Sequence, residues 1–308
     1  METLLLFGLA GMLAQLVDGS LGMGYGATST TALVAFGTAP AIASASVHLA
    51  KVGASLASGV SHWKFRNVDW RTVGILAVPG GLGAIVGAFL LVSLSGGVAA
   101  VLISSILFLL GLYVLIRFAF LKLGKLITDK RPGARFLGPL GLVAGFVDAT
   151  GGGGWGPVAT TTLLSSGRLE PRKVVGSVSA AEFVVSVAAS VAFFFALAQN
   201  QGMNFLVVAG LLGGGVLAAP FAAWLVRLMP PRVLGAAAGG MIVLTNAWLL
   251  LRVADATPTV FGTVYVAIVA LWIAGLVAAV RSVRAEKRMN ALVGEDSPPA
   301  KPHQATRR

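Results

Sequence analysis

Hydrophobic and polar positions along the chain divide it into apolar stretches at about 3–36, 40–61, 72–94, 98–118, 136–167, 172–198, 203–226, 233–252 and 259–280. Several lie near the ~20 residues that an α-helix needs to cross a bilayer. The pattern therefore predicts an all-α polytopic membrane protein. Two stretches, 3–36 and 136–167, are longer than one span and are interrupted by glycines. The second holds Thr150-Gly151-Gly152-Gly153-Gly154-Trp155-Gly156-Pro157. Glycine costs a helix about 1 kcal/mol per residue and proline about 3, so the helix is expected to break there. Within hydrocarbon, broken backbone survives only where protein or a wet cavity satisfies its N–H and C=O groups. The break is thus expected to line a cavity, with the freed amides of the following half-helix suited to an anion.

The two halves repeat. Val17-Asp18-Gly19-Ser20-Leu21-Gly22-Met23-Gly24-Tyr25-Gly26 lies 130 positions before Val147-Asp148-Ala149-Thr150-Gly151-Gly152-Gly153-Gly154-Trp155-Gly156. Ser29 to Leu33 then matches Ala159 to Leu163. After a one-residue slip, Pro40 matches Pro171, Ser46 matches Ser177 and Lys51 matches Glu182. Repeats with interrupted helices in corresponding positions point to a transporter whose site lies at the repeat interface.

Charge orients the spans. Basic clusters fall at Lys64/Arg66/Arg71, Lys122 to Arg135, Arg168/Arg172/Lys173, Arg227/Arg232 and Arg281 to Arg288. If 3–36 and 136–167 each enter, break and leave by one face, all five clusters become cytoplasmic, as the positive-inside rule favours. Each half then has one hairpin and three crossings, which makes the repeats inverted. A tilted full crossing of each first segment is the alternative. The expected organisation is a first membrane repeat over 1–118, a basic cytoplasmic linker over 119–135 and a second repeat over 136–253. A ninth, extra transmembrane helix over 258–281 and a disordered basic tail over 282–308, on the cytoplasmic side, complete it. Arg117 and Arg252 are expected to mark membrane edges.

Composition narrows the function. Only 11% of residues are charged and 56% are hydrophobic, with a mean hydropathy of +0.88. The formal charge of +12 is spread between spans, which favours basic loops over a nucleic-acid partner. With no cysteine, disulfides and thiolate metal sites are excluded. The glycine run is not a P-loop, because no Lys-Ser/Thr follows it. Neither an enzyme nor a cofactor is expected.

These motifs resemble the TauE/SafE family of sulfite and organosulfonate exporters. Val147 to Pro157 and Gly176-Ser177-Val178-Ser179-Ala180-Ala181-Glu182-Phe183 carry the resemblance in the second half. In the first half, Leu16-Val17-Asp18-Gly19, Ser46-Val47-His48-Leu49-Ala50 and Ser61 to Trp70 add to it. The resemblance covers about 5–252 and implies secondary transport of small sulfur-containing or organic anions. The chain departs from the family pattern in its degraded first glycine cluster. It also has Lys51 where relatives often place an acid, so their proton-coupling scheme does not carry over directly.

Candidate site residues follow from depth. Lys51 lies about 16 Å into its span at 1.5 Å per residue, and Glu182 occupies the equivalent depth. Each alone would cost about 2.5–3.5 kcal/mol there, so pairing is expected. The pair is either structural, or Lys51 attracts the anion while Glu182 takes a proton or releases Lys51. Asp18 and Asp148 precede the two breaks, as local caps or coupling-ion ligands. Gly24, Tyr25, Gly26, Gly152, Gly153, Gly154, Trp155 and Gly156 are expected to form the substrate cavity. Thr160 and Thr161 would donate to an oxyanion or bond back to their own helix. His48, one turn before Lys51, would make an interhelical hydrogen bond or relay a proton. The expectation is an alternating-access carrier of small anions in the inner membrane, coupled to protons or Na+; an anion channel is the alternative. Import, export and a homodimer are all compatible with it.

Overall fold

The computed structural model describes residues 2–21, 24–121, 131–197, 205–228 and 230–295. Among them there are helices and no strands. The first half contains α1 (Glu2–Leu21), α2 (Tyr25–Ala35), α3 (Pro40–Lys64), α4 (Trp70–Ser93) and α5 (Gly96–Phe120). The second contains α6 (Ala134–Gly151), a π turn (Gly156–Thr160) leading into α7 (Thr161–Ser166), then α8 (Pro171–Leu197), α9 (Phe205–Leu228) and α10 (Pro231–Val253). The last helix, α11, is Pro258–Glu295. Helical segments at 70–93, 96–120, 172–197, 235–253 and 258–286 are each long and apolar enough to cross a membrane.

Each apolar helix hides its small-residue face against a neighbour and leaves leucines, valines and phenylalanines outside, as a lipid-facing bundle does. Close approach depends on glycine. A Cβ on Gly141 would overlap the Leu76 carbonyl, and one on Gly145 the Gly80 carbonyl, so α6 lies backbone to backbone on α4. Beside α10 with α11, the most extensive pairs are α1 with α9, α4 with α6, α3 with α9, α4 with α8, α3 with α8 and α5 with α10. Exchanging α1 for α6, α3 for α8, α4 for α9 and α5 for α10 returns the same set of pairs.

Contact order along the helices gives their directions. Gly111 faces Val243, Leu115 faces Gly239 and Phe118 faces Gly235, so α5 and α10 are antiparallel. Gly59 meets Ala180 and the His48 ring meets Phe193, so α3 and α8 are antiparallel as well. By contrast α4 runs parallel to α6, with Gly141 at Leu76 and Gly87 at Phe146. It also runs parallel to α8, with Asn67 at Gly176 and Gly81 at Ala188. Because α6 and α8 point the same way, the chain between them must turn back. The Arg168 guanidinium, after α7, indeed sits 5.5 Å from the Phe136 ring at the start of α6. Asp69 ties this end together: its carboxylate caps α4 through the Thr72 N–H at 2.9 Å, and its own N–H donates to Ser177 Oγ at 2.8 Å.

One expectation changes. The tail expected to be disordered from residue 282 is helical to Glu295, since α11 simply continues through good helix formers such as Arg281, Arg284, Glu286 and Arg288. Arg232 of α10 reaches Glu286 at 3.3 Å and ties this extension to the bundle. The remainder of the tail, and 122–130 of the linker, lie outside the described residues. Arg117 and Arg252, expected at membrane edges, stand in the last turns of α5 and α10; Arg117 is buried and Arg252 stacks over Trp248 at 4.5 Å.

Candidate functional site

The centre of the bundle is built on one face of α3. Ser44, His48 and Lys51 stand at i, i+4 and i+7, which places them above one another on the helix surface. That face meets the last turn of α6. Ser44 Oγ donates to the Ala149 carbonyl at 2.7 Å, and His48 Nε2 lies 3.1 Å from Asp148 Oδ2. Lys51 Nζ donates to both Asp148 oxygens, at 3.0 and 2.9 Å. From α8, Glu182 Oε1 approaches the same ammonium to 2.8 Å. Lys51 and Asp148 side chains are 4% and 0% exposed and Glu182 is 22% exposed, so one buried cation is held by two carboxylates. Only such pairing makes the burial tolerable, since each ion taken from water costs several kcal/mol.

The backbone break supports this cluster. Helix α6 stops at Gly151, with Gly152 in the left-handed conformation at φ 71°. The chain then turns so that Trp155 N–H donates to Asp148 Oδ1 at 3.0 Å. Asp148 therefore caps the segment after the break and pairs with Lys51 at once. In the first half, Gly24 takes φ 120° just before α2, a conformation open to glycine alone. The two breaks touch: a Cβ on Gly153 would fall on the backbone of Gly26 and Ala27, and Thr30 Oγ1 donates to the Gly152 carbonyl at 2.9 Å. Between them lies a small cavity that Gly24, Tyr25 and Gly26 line from one side and Gly153, Gly156 and Pro157 from the other. Lys51, Asp148 and Glu182 face it, and it offers about 10 Å³, room for a single water.

Several expected residues sit elsewhere. The Trp155 indole is fully buried away from the cavity, against Gly80 and Val185, with Nε1 donating to the Val178 carbonyl at 3.0 Å. Its bulk fixes the turn, and only its backbone N–H reaches the site. Tyr25, its repeat counterpart, does line the cavity and donates its hydroxyl to the Leu211 carbonyl at 3.0 Å. Thr161 donates back to the Pro157 carbonyl, the helix-bonding alternative, while Thr160 is buried off the cavity. Gly152 and Gly154 shape the turn without lining the space. The Asp18 side chain lies outside the described residues. Ser44 was not singled out from sequence, although its four-residue spacing from His48 is the signal that would have found it.

A family model described as "Sulfite exporter TauE/SafE" matches residues 7–249. The chain is also 50% identical over 277 residues to the "Probable membrane transporter protein YtnM" of Bacillus subtilis (strain 168), covering 90% of this chain and 92% of that one. No solved structure matches it. With its apolar crossing-length helices, the chain is a multi-pass membrane transporter rather than an enzyme. By the extent of both matches, this helical bundle belongs to the TauE/SafE family.

Proposed function

We propose that the protein is a secondary carrier of small sulfur-containing or organic anions across a bacterial inner membrane, and that Lys51 is the substrate cation. The observation that carries this reading is a buried ammonium shared by Asp148 and Glu182 where two interrupted segments meet. The N-terminus of α2, the positive end of its dipole, opens at Gly24 and Tyr25 on the same cavity. Asp148 is wholly buried beside Lys51, whereas Glu182 is 22% exposed and lines the cavity, so Glu182 is the carboxylate that an entering anion meets. An arriving oxyanion therefore displaces Glu182 and takes its place on Nζ. A cavity of about 10 Å³ cannot hold sulfite while Glu182 stays, which favours a carrier that closes around its site over an open channel. Export is the direction that the family description names.

The halves are read as inverted repeats, with 136–167 a re-entrant hairpin and α11 returning the tail to the cytoplasm. Support comes from the antiparallel α3–α8 and α5–α10 pairs, and from Arg168 lying back at Phe136. Alternating access would then rock one repeat against the other. The cysteine-free chain allows a direct check by single replacements at Arg66, Gly96 and Arg168. Membrane-impermeant thiol reagent outside the cell should label position 96 alone. Labelling at 168 would remove the hairpin.

Substrate binding is checked on the purified protein with sulfite, thiosulfate, sulfate and methanesulfonate, each against chloride. A binding anion at 100 times its Kd raises stability by about 2.7 kcal/mol, read as a higher melting temperature. The rise should appear for at least one sulfur oxyanion and vanish in Lys51→Gln. A shift that persists in Lys51→Gln would place the anion elsewhere.

A further inference from the structure

Helix α3 closes with an unusual residue at its end. The Asn67 N–H donates to the His62 carbonyl and the Arg66 N–H to the Trp63 carbonyl, each at 2.9 Å, and Arg66 takes the left-handed conformation at φ 58°. Glycine is the usual residue in this motif, because a Cβ is strained there. Helix α2 ends with the same pair of bonds and does use glycine. Thr38 N–H reaches the Leu33 carbonyl, Gly37 N–H reaches the Val34 carbonyl, and Gly37 has φ 84°. Among the described residues, the other non-glycine with positive φ is Asp255, and a short polar side chain tolerates that conformation. Arginine lacks such a side chain. A strained backbone position that keeps a long cation points to work for that cation.

The surroundings of Arg66 indicate what it meets. Lys64, Arg66 and Arg71 are all exposed around the turn from α3 to α4. The acid of this turn, Asp69, faces inward. One of its oxygens caps α4 and the other lies 3.8 Å from Arg131, so the outer face stays positive. Interleaved with the cations are Trp63, Phe65 and Trp70, exposed by 57%, 76% and 58%, and the two indoles meet edge to face at 6.2 Å. Trp70 is also the first residue of a crossing-length helix, so the three rings stand where hydrocarbon gives way to headgroups. The other end of α4, Leu94-Ser95-Gly96-Gly97, has neither charge nor aromatic ring, so the combination belongs to one leaflet.

We infer that the α3–α4 turn binds an anionic phospholipid, with the phosphate among Lys64, Arg66 and Arg71 and the glycerol and upper chains against Trp63, Phe65 and Trp70. This goes beyond the carrier reading and does not depend on it, since Lys64 lies about 20 Å along α3 from Lys51 at 1.5 Å per residue. A basic vestibule that gathers soluble anions needs the cations but not the exposed rings, which are costly in water and favourable at a membrane boundary. A zwitterionic lipid satisfies the rings but brings the cations no net counter-charge. Helix α8 also arrives at this turn, with Gly176 against Asn67 and Ser177 Oγ accepting from the Asp69 N–H. A lipid seated here therefore fastens the ends of α3, α4 and α8 together.

Full-length protein in a neutral detergent tests this with three probes: dioleoylphosphatidylglycerol, dioleoylphosphatidylcholine and soluble glycerol 1-phosphate. Native mass spectrometry should show phosphatidylglycerol retained in preference to phosphatidylcholine, and the melting temperature should rise more with the anionic lipid. Arg66→Gly relieves the strained position, so its melting temperature without lipid should hold or rise. Its preference for phosphatidylglycerol should nonetheless fall about fivefold, one cation's share at an anionic surface. The preference should vanish when Lys64→Gln and Arg71→Gln are added, and weaken in Trp63→Gln with Trp70→Gln. Equal retention of the two lipids would overturn the inference. A preference that Arg66→Gly leaves intact would overturn it as well, because the lipid would then sit elsewhere. Glycerol 1-phosphate matching the stabilisation by phosphatidylglycerol would mark a vestibule for soluble anions and would sink the lipid site.

Discussion

Lys51→Met is expected to cost about 3–5 kcal/mol of stability, the largest effect of any charge removal in the chain. Methionine matches the lysine stem in length and keeps the apolar packing, so the loss isolates the ammonium. Without it, Asp148 and Glu182 face each other across the small cavity with no cation between them, and Asp148 is fully buried. Glu182→Gln removes the more exposed carboxylate and leaves Lys51 still paired with Asp148, so it should cost markedly less. The double variant, Lys51→Met with Glu182→Gln, leaves only Asp148, which keeps Trp155 N–H and His48. Its loss should therefore fall short of the sum of the singles by about 0.5–3 kcal/mol, the range of coupling between touching residues. Thermal melting of the purified single and double variants measures all three. Additive losses would mean that the Lys51–Glu182 contact contributes nothing. A folded double variant that still binds the anion would show the pair to be structural.

Gly153→Ala should be comparably severe, about 3 kcal/mol or more, by a different mechanism. Its added Cβ would coincide with the backbone of Gly26 and Ala27, and a backbone clash cannot be relieved by changing a rotamer. The two interrupted segments would have to part. That displaces Gly24 and Tyr25 on one side and Gly156 on the other, so the cavity facing Lys51 changes shape. Gly74→Ala is the control. Nothing stands within 4 Å of a Cβ there, and the position lies inside α4. It should be neutral or stabilising by up to about 1 kcal/mol from helix propensity. Melting of the two variants side by side checks the contrast; a tolerated Gly153→Ala would mean that the two breaks need not touch.

Much of this protein is legible in its sequence, because a bilayer leaves a chain few options. Long apolar runs must be helices there, with every backbone group satisfied within the run. Four glycines and a proline stop α6 at Gly151 for reasons of local propensity alone. Lys51 and Glu182 were marked by cost: isolated charges at such depth demand partners, and matching positions in a repeat supply them.

What tertiary structure alone decided is who else joins. Asp148 precedes a break, and sequence allowed it a local cap. Only the packing of α6 onto α3 and α4 brings its carboxylate to Lys51 and, through Oδ2, to His48, while Oδ1 also accepts from Trp155 N–H. The Trp155 indole, expected to wall the cavity, goes into the core because Gly80 leaves an indole-sized gap on α4 that no local pattern announces. The helix over 282–295, expected to be disordered, continues α11 through good helix formers, and Arg232 from α10 ties it to the bundle through Glu286. Sequence determines where the helices run and where they fail, since those are local free energies. Which faces meet is a sum over contacts between remote segments, and the contact of His48 with Asp148 exists only in that sum.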